Sequence, residues 1–173
     1  MYIIQNIIFK FDTKKYYNFN SQKQESINYI ALFMFDVFPS LQSSGITNFI
    51  HELNSFEPDG IEFELVGLDV DQETDLIYIS ETYNDYKKRA IQNSELNNLM
   101  NKVRHLELCK KELIKYAVMT KENFIHLLLK WEQLITSSPL YILLYLDEKD
   151  WYETLSFDSQ DAIEQFITQH TQK

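Results

Sequence analysis

The chain has 173 residues, 45% of them apolar and 14% aromatic. That length suits one domain over 1–173, and that much apolar surface can offset chain entropy, which excludes overall disorder. With 3 Gly and 3 Pro there is little scope for a Gly-rich phosphate loop or a sandwich of many tight turns, and a formal net charge of -10 repels nucleic acid and anionic membrane.

Residues 2–11 are rich in Ile and Phe and read as a strand. Ile27, Ile30, Ala31, Met34, Phe35 and Phe38 recur at helical spacing, with Pro39 as a stop. The other side of that helix is apolar too (Tyr29, Leu32, Phe33, Val37), as in a buried helix or, less commonly, a partner surface. A short helix over about 46–54 follows. Residues 61–70 alternate as one half-buried strand, and a bulge at Val66–Gly67 would keep Glu62, Glu64, Asp69 and Asp71 together on a wet face. Residues 71–75 then turn into a second strand, 76–80.

Residues 84–114 read as mostly helical in two pieces, striped by Leu96, Leu99, Met100, Val103 and Leu106. A short strand over 115–119 comes next. Thr120 is placed to cap a helix carrying Phe124, Leu127, Leu128, Trp131, Leu134 and Ile135, and Pro139 ends it. The apolar run 140–146 suits a central strand, 151–155 an edge strand, and Asp158 or Ser159 can cap a last helix through Ala162, Ile163, Phe166 and Ile167. The fold class expected is α/β or α+β, with a mixed central sheet of about five strands and helices packed against it. Helix 120–135 with strand 140–146 reads as a crossover unit.

Catalytic and metal signatures are sparse. Asp69, Asp71, Glu73 and Asp75 are spaced like the start of a calcium loop, but Thr74 stands where its glycine belongs and Ser80 where its bidentate acid belongs. His105 and Cys109 sit four apart on an expected helix, and two ligands do not make a zinc site. His51, His105, His126 and His170 are scattered, so surface or capping roles are the default. No cofactor motif is present. Cys109 is the one cysteine, which excludes an internal disulfide and suits a reducing cytoplasm. The apolar runs 29–35 and 140–146 are too short to span a membrane.

Charge is segregated. Residues 57–75 hold eight acids and no base; 147–164 hold seven acids against Lys149; 87–115 hold eight bases and three acids. Two arrangements fit. The basic segment can neutralise its own acidic neighbours, or the acids can form a face for a basic protein, anchored by nearby Tyr and Trp rings.

The segment MTKENFIHLLLKWEQLITSSPLYILLYLDEKDWYETL, residues 119–155, carries Thr120-Lys121-Glu122-Asn123-Phe124, then Trp131, Pro139 before a strand, and an acidic turn ending in Trp151. It resembles bacterial immunity proteins of contact-dependent growth-inhibition and other polymorphic toxin systems. The resemblance implies a non-enzymatic, cytoplasmic inhibitor that covers the active site or substrate groove of a cognate toxin C-terminal domain, often a basic nuclease. On that reading the partner-binding residues are Asp69, Asp71, Glu73, Asp75, Tyr78, Asp147, Glu148, Asp150, Trp151, Tyr152 and Glu153, and neither nucleic acid nor membrane is a partner. The alternatives are an adaptor or regulatory subunit that dimerises through helix 27–38, and a hydrolase with an unrecognised carboxylate pair.

Overall fold

The computed structural model describes residues 2–11, 17–19, 25–37, 45–55 and 60–171. In chain order these form β1 (Ile3–Phe11), β2 (Tyr17–Phe19), α1 (Glu25–Leu32) running into a π-helical turn (Phe33–Val37), α2 (Ile46–Glu52), β3 (Ile61–Glu62), β4 (Gly67–Asp71) and β5 (Leu76–Ser80). Then come α3 (Tyr83–Ala90), α4 (Ser94–Leu99), α5 (His105–Lys110), β6 (Tyr116–Thr120), α6 (Lys121–Thr136), β7 (Tyr141–Asp147), β8 (Tyr152–Phe157) and α7 (Gln160–His170).

Helices and strands build the fold together, as expected, but one mixed sheet does not. The strands form two four-stranded sheets, ordered β2-β1-β7-β8 and β3-β4-β5-β6, and every pairing among the described residues is antiparallel. The reason lies in α6. It leaves β6 on the edge of the second sheet and delivers the chain to β7 in the middle of the first. What reads as a crossover within one sheet is a bridge between two. The expected single strand 61–70 is also two strands, β3 and β4, paired with each other across a reversal at 63–66.

One apolar cluster joins the two sheets. Ile7, Phe9, Ile142, Leu144 and Leu146 enter it from the first sheet, and Leu68, Val70, Ile77, Ile79, Ala117 and Met119 from the second. Between them lie Ile27, Ile30 and Ala31 of α1 and Phe124, Leu127, Leu128 and Trp131 of α6. Phe9 and Trp131 meet edge to face at 5.0 Å, and Phe33 meets Phe124 the same way at 5.2 Å. Ile27, Ile30 and Ala31 of α1 are therefore turned inward, with Tyr29 and Leu32 half-buried against the same core; Phe38, expected in that stripe, lies outside the described residues.

Parity explains the rest of the first sheet. β7 is covered on both sides, which is why its sequence is a continuous apolar run. Leu143 and Tyr145 face outward onto Ile163 of α7, in a small cluster with Ile3. Ile3 shares odd numbering with Ile7 and Phe9 yet points the opposite way, because the register slips between Ile3 and Gln5.

Caps follow the sequence closely. The Thr120 hydroxyl accepts the Asn123 N–H at 3.1 Å, and the Ser159 hydroxyl accepts the Ala162 N–H at 3.2 Å. Asn123 does more. Its side chain, buried at the start of α6, accepts the Tyr152 N–H at 2.8 Å and donates to the Tyr152 carbonyl at 2.7 Å. It thus stands in for a neighbouring strand at the start of β8. Asn123→Ala leaves two buried backbone groups unpaired and should lower unfolding free energy by about 2–4 kcal/mol, measured by urea denaturation; a loss below about 0.5 kcal/mol would show that water replaces the amide.

Candidate functional site

The second sheet is covered on both faces. Leu68, Val70, Ile77 and Ile79 point to the main core, and the alternate positions Asp69, Asp71, Tyr78 and Ser80 point the other way, toward α3–α5. Those helices carry their own apolar cluster of Tyr86, Ala90, Leu96, Leu106, Leu108 and Cys109, joined by Tyr78. The face expected to be wet is therefore an interior seam. Asp69 and Asp71 are only 2% and 3% exposed, and Tyr78 is buried as well.

Carboxylates in such a seam require partners, and the basic segment supplies them. Asp69 Oδ2 lies 2.6 Å from His105 Nδ1, Asp71 Oδ2 lies 2.9 Å from Lys110 Nζ, and Glu81 pairs with Arg89. Glu81 also accepts the Lys115 N–H at 2.6 Å. Burial raises the Asp71 pKa, but the Thr74 hydroxyl and Lys110 outweigh it and hold the carboxyl below its usual value. The Glu81 carboxyl stays raised by its burial. Of the two arrangements of charge open in the sequence, self-neutralisation accounts for Asp69, Asp71 and Glu81.

His105 is the centre of the seam. Burial pulls its pKa down, the Asp69 carboxylate more than compensates, and the net shift is upward. Nδ1–H donates to Asp69, while Nε2 lies 3.3 Å from the Glu81 carbonyl and 3.4 Å from Ser80 Oγ. Asp69, His105 and Ser80 thus follow one another like a nucleophile relay. Ser80 is wholly buried, however, and it is absent from the wall of the adjoining cavity of ≈140 Å³, which Glu62, Asp69, Tyr83, Tyr86 and His105 line.

The two acidic turns are built alike. In the β4–β5 turn Asp71 Oδ1 accepts the Glu73 N–H at 3.2 Å, and Asp75 adopts a left-handed backbone. In the β7–β8 turn Asp147 Oδ1 accepts the N–H groups of Lys149 and Trp151 at 2.9 and 3.0 Å, and Asp150 is left-handed. The alternating acids of 69–75 serve strand and turn geometry in this way. Glu73, Asp75, Glu148 and Asp150 are exposed, and Asp147, Trp151 and Glu153 are half-buried. Tyr152 is buried.

The fold brings these turns to the two lips of one groove. The groove, ≈560 Å³, runs between the sheets and is lined by Leu76, Tyr116, Val118, Leu146, Asp150 and Tyr152, among others. Asp150 belongs to its wall, and Asp75 is next to Leu76 in sequence. Lys121 Nζ reaches Asp75 at 2.7 Å, and exposed Glu122 lies between the turns at the start of α6. Val118, on the edge strand β6, is 38% exposed.

Other predicted positions hold more modest roles. Glu153 Oε2 lies 2.8 Å from His126 Nε2, whose ring meets Trp151 at 5.5 Å. His170 Nδ1–H donates to the Phe166 carbonyl at 2.8 Å, a capping role as expected. The sequence reading missed the Asp69–His105 pair, whose members are 36 residues apart. A signal was present in the scarcity of glycine.

No protein-family model, curated protein or solved structure matches the chain.

Gly60 has φ +68, and a Cβ there would stand 2.4 Å from Asp69 Oδ1 and 2.6 Å from the Leu68 carbonyl. Gly60→Ala should therefore cost more than the ~1–2 kcal/mol of a left-handed alanine alone, read from the urea midpoint. A cost below that figure would mean that the Asp69 carboxylate shifts freely.

Proposed function

We propose that the protein is an immunity-type inhibitor: a non-catalytic binder that presents the groove between its sheets, and the acids on its lips, to a basic toxin domain. The observation that carries this reading is the convergence of two acidic turns, distant in sequence, on one apolar-walled groove. Asp150 stands in its wall, and Asp75 immediately precedes Leu76 of the opposite wall. The resemblance of 119–155 to immunity proteins covers the same place, since that segment contains the start of α6 and the whole β7–β8 turn.

A groove of this size takes side chains rather than a whole surface. The fitting guest is a lysine or arginine of the toxin, its aliphatic stem on Leu76, Val118 and Leu146 and its charge beside Asp150. The surrounding acids steer the encounter and repel nucleic acid competing for the toxin's substrate groove. The buried acids Asp69 and Asp71 act only by holding the sheet that shapes this face. The reaction itself needs no step from this chain.

The test is co-expression with the toxin C-terminal domain encoded beside its gene. Wild type should restore growth. The variant Glu73→Lys, Asp75→Asn, Asp150→Asn should associate with that domain at least about tenfold more slowly at low salt, with a flatter salt dependence. Asparagine is chosen because it tolerates the left-handed backbone at both aspartates. Val118→Arg should speed dissociation. Unchanged association and rescue by the folded variants would overturn the reading, as would substrate turnover by the purified chain alone.

A further inference from the structure

We infer that Asp69, His105 and Cys109 form a zinc site that fastens the helical cap to the second sheet. One donor atom from each of these residues lies within 4.8 Å of the other two. Tetrahedral zinc, with bonds of about 2.0–2.3 Å, sets its ligand atoms about 3.3–3.8 Å apart, so adjustments of about 1 Å suffice, the Asp69–His105 pair at 2.6 Å opening to admit the ion. Carboxylate, imidazole and thiolate are the donor types zinc takes. His105 and Cys109 lie one turn apart on α5, and Asp69 rises from β4 beneath them, so two regular elements present the ligands.

Two further features of the seam point to a ligand. Asp69 is 2% exposed, and among the described residues its Oδ1 has no hydrogen-bond partner although the residue lines the ≈140 Å³ cavity. A buried carboxylate oxygen left in that state is costly; a cation satisfies it. Second, the chain has 3 glycines, and two of them stand against these side chains. A Cβ on Gly60 would meet Asp69 Oδ1 at 2.4 Å, and one on Gly67 would meet His105 Cε1 at 3.0 Å. The backbone is cleared around the carboxylate and the imidazole.

Zinc binding would replace the Asp69–His105 hydrogen bond by two metal bonds, and the Cys109 thiol would release its proton to solvent as it binds. The Ser80 hydroxyl is within hydrogen-bonding reach of the sulfur and would support the thiolate from outside the ligand shell. A water from the cavity that Asp69 and His105 line would supply the fourth ligand. The inference is independent of the toxin-binding reading, since the cavity beside the site and the groove share no lining residue among the described ones.

The test titrates the metal-free full chain with Co²⁺ alone and then with Zn²⁺. One cobalt per chain is expected, with tetrahedral visible bands, a sulfur-to-cobalt charge-transfer band in the near ultraviolet, displacement by zinc and a raised melting temperature. Cys109→Ser should abolish the charge-transfer band; Asp69→Asn and His105→Gln should weaken binding by about tenfold or more; His126→Gln, outside the cluster, should change nothing. Absence of saturable uptake by the wild-type chain overturns the proposal, and so does a cobalt spectrum lacking the sulfur band. Both decisive readings use the unaltered protein, so a variant that fails to fold does not blur them.

Discussion

The interaction on which this architecture depends is the neutralisation of buried carboxylates between the second sheet and its helical cap. A strand with two apolar faces could have been covered without cost in charge. Here one face of β4–β5 carries Asp69, Asp71 and Ser80, and short helices lie over it. Isolated charges in that seam would be prohibitive. His105, Lys110 and Arg89 arrive from the cap and remove the penalty. A buried pair of this kind contributes less to stability than to registration, because sliding the cap by one residue would strand a carboxylate without its cation. That need for registration fits helices as short as α4 and α5, six residues each, which have little apolar surface of their own to position them.

Seen this way, the net charge divides into two populations with different physics. Acids in the seam are matched one by one at short range and contribute little field outside. Glu73, Asp75, Glu122, Glu148 and Asp150, on the β4–β5 and β7–β8 turns and at the start of α6, are exposed, and Asp150 stands in the groove wall. The total of -10 is thus a poor guide to where a cationic partner would be drawn. Placement around the groove is the better one.

Elements carried by a single strong periodicity were legible from the residues: α6 with its Thr120 cap, β7 as a continuous apolar run, α7 with its Ser159 cap. Their signals are local, so no distant contact was needed to read them. The misreadings share one cause. Alternation in 67–71 correctly separates Leu68 and Val70 from Asp69 and Asp71, yet alternation cannot say what covers the polar side. Charged residues default to water unless a partner is visible, and the partners lie well over thirty residues downstream. The same distance hid the division into two sheets: a helix between two strands looks identical whether both strands join one sheet or each joins its own. The acidic run resembled half a calcium loop for a related reason, since aspartates that accept turn N–H groups recur at similar spacing.

The groove owes its shape to the bridge that the sequence reading took for a crossover. Because Lys121 at the start of α6 is bonded to Asp75 of the β4–β5 turn and the Asn123 side chain is hydrogen-bonded to both backbone groups of Tyr152, the two sheets are held together at the groove's own end. Walls contributed by β5 and β6 on one side and β7 and β8 on the other cannot part without breaking those bonds or exposing the core beneath. On the proposed binding reading, a surface held in this way would lose little conformational freedom on docking, so more of the contact energy would appear as affinity. The buried Asn123–Tyr152 bonds and the Lys121–Asp75 pair thus fix the shape of the groove from below and from its edge.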